Sequence, residues 1–167
     1  MQDLQAHGAE MVSTREPQTL LDGMFHTSGE IPRVTEFERG ISGQVRRIAE
    51  GQWEPDEQVS DERWLAVNVA GKGLIVFSGC SHAGIVNVLE HSRASFPNIP
   101  VHAVLGGLHL SGPNEKHIDR TVQAMQGYNL RSIAAAHCTG WRAVRALADV
   151  FGDVVVAPSA VGKRYSY

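Results

Sequence analysis

Three histidines in this chain each follow a short apolar run and sit in a glycine-bearing turn. His82 ends Ser78-Gly79-Cys80-Ser81-His82, His109 ends Gly106-Gly107-Leu108-His109, and His137 opens His137-Cys138-Thr139-Gly140. Neutral imidazole is the commonest protein metal ligand, and a hydrolytic metal site needs ligands fixed on rigid strand ends with one coordination position left for water. The flanking glycines let the backbone turn sharply and aim each side chain. His82 and His109 are 27 residues apart and His109 and His137 are 28 apart, in each case the length of one strand plus one helix. Neighbouring strands would therefore put three imidazoles along one rim of a sheet. A single histidine at a strand end is more often a hydrogen-bonded structural residue; three at equivalent positions bring the metal reading level with that one. His7, His26, His91, His102 and His117 read as surface or loop residues, His26 the least clear-cut of them.

The two cysteines, Cys80 and Cys138, each lie within two residues of one of these histidines. That density does not describe a disulfide framework. Small, buried, reduced packing residues are the plain alternative for both, and the preferred one for Cys138. A redox pair would need the two strand ends within disulfide reach, and there is no CxxC motif.

The elements that must carry these residues begin at Trp64. Leu65 to Val69 and Leu74 to Phe77, separated by Gly71-Lys72-Gly73, read as a hairpin. Residues 83 to 94 read as a helix stopped before Pro97, Val101 to Leu105 as a strand, and Glu115 to Gln126 as a helix with Asn114 as its N-cap. Ile133 to Ala136 reads as a strand, Trp141 to Val150 as a helix and Val154 to Ala157 as a closing strand. That alternation predicts an α/β layer of mixed sheet with helices on one face, whose ligands collect at the strand ends. Residues 1 to 64 predict short strands and long loops within the same single domain, with a strand near Ala9 to Ser13 and an exposed loop or hairpin over 50 to 63.

Composition narrows the function. With 43% hydrophobic and 20% charged residues the chain is expected to fold, and at a net charge of −3 with scattered Lys and Arg it lacks the basic footprint of a nucleic-acid binder. Its longest apolar run is far short of the about 20 residues that span a bilayer. The first ten residues have no apolar signal core, so a cytoplasmic protein acting on a small molecule is the expectation.

The string from Gly73 through Ser78-Gly79-Cys80-Ser81-His82-Ala83-Gly84 to Asn87, followed by Gly106-Gly107-Leu108-His109-Leu110 and His137-Cys138-Thr139-Gly140, resembles a metallo-β-lactamase-fold family. These are the hydrolases related to dihydropterin-ribofuranosylaminobenzene-phosphate synthase. Upstream, Thr27-Ser28-Gly29-Glu30-Ile31-Pro32-Arg33 with Thr35, Phe37 and Glu38 is similar to that family's TGEIPR segment, so the resemblance covers most of residues 20 to 162. GCSHAG and HCTG are its specific strings; GGLHL departs from an aromatic more usual before the histidine.

That resemblance implies one half, the C-terminal one, of an αββα sandwich. It implies His82 and His137 as metal ligands and His109 at the metal cleft as a ligand or acid/base group. Cys80 would support a ligand or take the place that other branches give to a bridging aspartate. Glu30 and Arg33 would flank the substrate entrance, a plain surface salt bridge being the alternative. The metal would be divalent, zinc first, with manganese or iron also suited to imidazole. The family's first ligand cluster, HxHxDH, is absent from this sequence. Two expectations follow: a metal-dependent hydrolase or pterin-type synthase of incomplete site, or a non-catalytic half-domain needing a partner. In either case the exposed sheet face predicts a homo-oligomer or association with a missing N-terminal half.

Overall fold

The computed structural model describes residues 2–157 and 159–167. A short helix α1 (Gln2–Ala6) precedes two small strands, β1 (Gln18–Leu20) and β2 (Phe25–Thr27). A separate hairpin follows, β3 (Val45–Ala49) with β4 (Gln52–Pro55), and then the regular part: β5 (Trp64–Val69), β6 (Gly73–Ser78), α2 (Ile85–Ser95), β7 (Val101–Gly107), α3 (Ile118–Met125), β8 (Ser132–Ala136) and α4 (Trp141–Phe151). The six main strands run in the order β1-β2-β5-β6-β7-β8. β1, β2, β5 and β6 pair antiparallel, whereas β6-β7 and β7-β8 are parallel. Parallel neighbours require a crossover, and α2 and α3 supply the two.

Period-two alternation sorts the strand residues. Ala66, Val76, Val104 and Ile133 are in register across four strands, each at most 1% exposed, and share one cluster with Leu89, Met125 and Leu147 from the three helices. Burying one such Leu or Ile stabilises the fold by about 1.5–3 kcal/mol. The next register, Leu65, Phe77, Leu105 and Ala134, points to the other face, where the first three are only half-buried. The predicted mixed sheet with helices on one face is the observed architecture.

The hairpin expected within residues 50–63 is present, as its second strand β4. Three local expectations give way. Residues 9–13 form no strand. The helix expected from Glu115 begins with a 3-10 turn over Gly112–His117, so α3 starts only at Ile118; Asn114 caps nothing and instead donates from Nδ2 to the His109 carbonyl at 2.9 Å. Pro113 at the head of that turn favours the tighter winding. The closing strand reduces to one bridge, Val156 against Ile133, because Gly152 stops α4 and the chain turns through 153–155 before reaching the sheet edge.

Candidate metal centre

The histidine-bearing turns all follow the C-terminal ends of adjacent parallel strands, β6, β7 and β8. In each turn one non-glycine residue sits in the left-handed region: Ser81 at φ 58°, His109 at φ 50° and His137 at φ 48°. That conformation costs about 1–2 kcal/mol per residue, and such strain persists only where surrounding bonds over-determine it.

Those bonds are present. The Ser81 hydroxyl lies 2.6 Å from the Gly107 carbonyl, to which it donates, and 2.8 Å from the Ser78 hydroxyl. The Thr139 hydroxyl accepts the Leu108 N–H at 3.0 Å and donates to the Ala136 carbonyl at 2.7 Å. The Cys138 carbonyl accepts both Leu110 and Ser111 N–H groups at 3.1 Å. The first turn is thus tied to β7, and the second turn to the third.

Two carboxylates hold the first turn from outside the layer. Glu62, just ahead of β5, accepts the N–H groups of His82 at 2.7 Å and Ala83 at 2.6 Å, and its Oε1 lies 3.7 Å from His82 Nδ1. Glu38 accepts Val86 and Asn87 N–H at 3.0 and 2.9 Å, so the start of α2, whose N-cap Gly84 has no side chain, is capped from 48 residues upstream. Burial pushes the Glu38 carboxyl above its ordinary range, and these N–H donors with the Thr35 hydroxyl pull it back. A Cβ on Gly84, at φ 92°, would fall 2.2 Å from Glu38 Cδ. Asn87, fully buried, completes the clamp: Oδ1 accepts Val34 and Thr35 N–H at 2.9 Å, and Nδ2 donates to Ala83 O at 2.7 Å and Glu38 O at 3.2 Å.

On this frame the side chains form two adjoining groups. His82 and His109 meet edge-on with ring centroids 4.7 Å apart. Cys80 Sγ lies 3.3 Å from His137 Nδ1, and the donor atoms of Cys80, His137 and Cys138 all lie within 4.8 Å of one another. Cys138 joins the groups, since its Sγ donates to Cys80 O at 3.3 Å and receives the backbone N–H of His109. Burial, helped by the Cys80 thiol, raises the Cys138 thiol to about 11. Burial, and then His82, hold His109 below its usual value against the opposing pull of Glu62.

A tetrahedral zinc with ligand bonds of 2.0–2.3 Å spaces its donors about 3.3–3.8 Å apart. The donor atoms of Cys80, His137 and Cys138, within 4.8 Å of one another, are spread more widely than that, and two thiols with one imidazole form a donor set of the type that holds a divalent metal once drawn together. Cys138, read from sequence as packing, lies inside the donor cluster. Its direct adjacency to His137 was the available signal. Glu38, Glu62 and Asn87 were not singled out for a site, because they act across 20 to 53 residues of chain.

Glu30 and Arg33 stand apart from these groups. Glu30 is exposed. The Arg33 guanidinium is directed at the carbonyls of Ile31 and Gln58, with Nε unpartnered, and Glu30 and Arg33 form no ion pair. Neither lines the small hollow beside His82 and His109, whose wall is Phe37, Glu38 and Arg39.

The layer and its rim define a class, the metallo-β-lactamase fold. A solved structure described as Tm1679, a metal-dependent hydrolase of the β-lactamase superfamily, superposes with a TM-score of 0.74 at 25% identity over 95% of this chain and 58% of its own. Within that class the chain is homologous to 7,8-dihydropterin-6-methyl-4-(β-D-ribofuranosyl)-aminobenzene-5'-phosphate synthase of Methanocaldococcus jannaschii, with 34% identity over 91% of this chain and 51% of the synthase. An uncharacterised protein of the same organism is 31% identical over 87% of this chain and 53% of its own length. The chain spans about half the length of the curated relatives it matches. No family model matches it.

Proposed function

We propose that this chain contributes one wall of a metal-dependent site that acts on a small molecule, either cleaving an ester or phosphoester or joining a pterin-related substrate. His82 and His137 are its metal ligands and His109 stands beside the reacting bond. The observation that carries this reading is the cluster of one imidazole and two thiols, His137 with Cys80 and Cys138, beside the His82–His109 ring pair on one strained, cross-bonded rim. A divalent metal, zinc first, would act there as a Lewis acid and water activator. His109, kept neutral by burial and by His82, can accept a proton at an imidazole nitrogen. Cys80 holds His137 in orientation or shares its metal. Glu30 and Arg33 flank the outer entrance, where the Arg33 guanidinium is fixed on the Ile31 and Gln58 carbonyls.

The half-domain reading is favoured by one sequence fact, the absence of HxHxDH. Under it, donors from another polypeptide complete the site, and the half-buried face bearing Phe77 and Leu105 is covered by that partner or by a second copy. Among the described residues no helix is long and apolar enough to cross a membrane, and both cysteines are unpaired, which suits the reducing cytoplasm.

Metal analysis of protein purified without added zinc tests the main reading. Wild type should retain stoichiometric metal, and His82→Ala and His137→Ala should lose it. Equally little metal in all three would remove the reading.

A further inference from the structure

Beyond His109 the rim opens into a cleft of about 690 Å³ between the 36–42 loop and the segment that leads into α3. Three cationic side chains line it, Arg39, Lys116 and Arg120, against a single carboxylate, Glu36. In a chain of net charge −3 this is a local reversal of sign beside the candidate centre. Among the described residues none of the three cations enters an ion pair. Glu115, on the same segment, is held by Arg142 at 3.0 Å; neither it nor Asp119 lines the cleft. Among the described residues the one hydrogen bond of Arg39 runs from Nε to the Glu36 carbonyl at 2.7 Å, which fixes the guanidinium plane and leaves both terminal nitrogens to a ligand. Phe37 and His117, ring centroids 5.7 Å apart, make a ring-lined wall where the cleft meets the hollow beside His82. Burial, then Lys116 and Arg120, hold His117 below its usual value, so it adds no fourth charge near neutrality.

We propose that this cleft is an anion subsite that binds a phosphate or diphosphate group of the substrate, with Arg39, Lys116 and Arg120 as its cations. Two guanidinium forks and an ammonium suit the several oxygens of a phosphoryl group better than the two of a carboxylate. The volume holds more than one small ion, so the rest of the substrate extends past His109 toward the rim. Its place next to a reaction centre rests on the function proposed above, whereas anion binding itself needs neither metal nor turnover. All three cations are exposed, so binding is salt-dependent, with a screening length of about 8 Å at physiological ionic strength.

Titration calorimetry with inorganic phosphate and pyrophosphate, with acetate as the control, tests this on the whole chain. Saturable binding of at least one phosphate probe is expected, weakened about tenfold in Arg39→Gln and in Arg120→Gln, less in Lys116→Gln, and weakened again by raised salt. The tighter of the two probes identifies a monoester or a diphosphate as the group held. His82→Ala and His137→Ala should keep the anion affinity even where they lose metal, so a failed metal centre and a failed subsite give different results. No saturable phosphate or pyrophosphate binding by wild type, undiminished binding in all three cation variants at unchanged circular dichroism, or acetate bound as tightly would overturn the proposal.

Discussion

Cys80 Sγ lies 3.3 Å from His137 Nδ1, across the gap between two strand ends separated by β7. They stand 57 positions apart in the chain, so only the β6-β7-β8 order brings them together. A thiol that close to a candidate ligand either joins the metal or orients the imidazole. Cobalt(II) substitution separates these, because thiolate ligation gives an intense near-ultraviolet charge-transfer band. With a thiolate ligand the band is expected in wild type, reduced in Cys80→Ser where Cys80 ligates and in Cys138→Ser where Cys138 does. A cobalt adduct without that band would confine both thiols to supporting roles, for which loss still lowers metal affinity about 10–100-fold.

Asn87 joins the loop around Val34 and Thr35 to the turn that carries His82, with all four of its bonds inside the protein. Asn87→Ala leaves the Val34 and Thr35 N–H groups without their acceptor. A fully buried loss costs about 1–3 kcal/mol, and these two part-buried groups together come to about that range. Urea unfolding should show a loss in that range or above it, and metal affinity should fall in parallel as the turn loosens. A midpoint shift smaller than that of an exposed control, Asn98→Ala, would show that the clamp is not structural.

The regular layer was legible because apolar runs and glycine turns repeat from Trp64 onward, so β5 to β8 and α2 to α4 came within a few residues of their observed bounds. Which turns hold histidines was legible for the same reason. Boundaries set by proline and glycine were less so: the 3-10 start at Gly112 and the reduced contact of Val156 depend on backbone paths that periodicity does not encode. Glu62 lay in a stretch that reads as an acidic exposed connection, and its carboxylate turns inward only because two N–H groups of the histidine turn await it. The pairing of His137 with the cysteines, and of His82 with His109, is a tertiary fact with no local signature.

Acid should weaken the fold through its neutral histidines. Burial, then Arg63, lower His91 from its ordinary value of 6.5, and His109 and His117 are lowered likewise. A depressed histidine binds its proton in the unfolded chain first, so below about pH 6.5 the unfolded state carries more protons and stability falls with falling pH. His91 Nδ1 accepts the Trp64 indole N–H at 3.3 Å, a bond that protonation at Nδ1 removes. Thermal unfolding at pH 7.5 and pH 5.5 should therefore show a lower midpoint at the acid value, and the difference should shrink in His91→Gln. An unchanged or higher midpoint at pH 5.5 would contradict the assignment.

The second face of the sheet gives the remaining test. Leu65, Phe77 and Leu105 stand in one cross-strand register and are only half-buried, whereas the opposite register is closed by three helices. Apolar faces of this kind mark interaction surfaces or association in solution. The chain alone is expected to bind a hydrophobic dye or to self-associate by light scattering, and Phe77→Ser with Leu105→Ser should abolish either behaviour while the near-ultraviolet signal of Trp64, buried on the sheet, persists. A monodisperse monomer that binds no dye would mean that the face is already satisfied by its own chain, and that no second layer is needed to complete the fold.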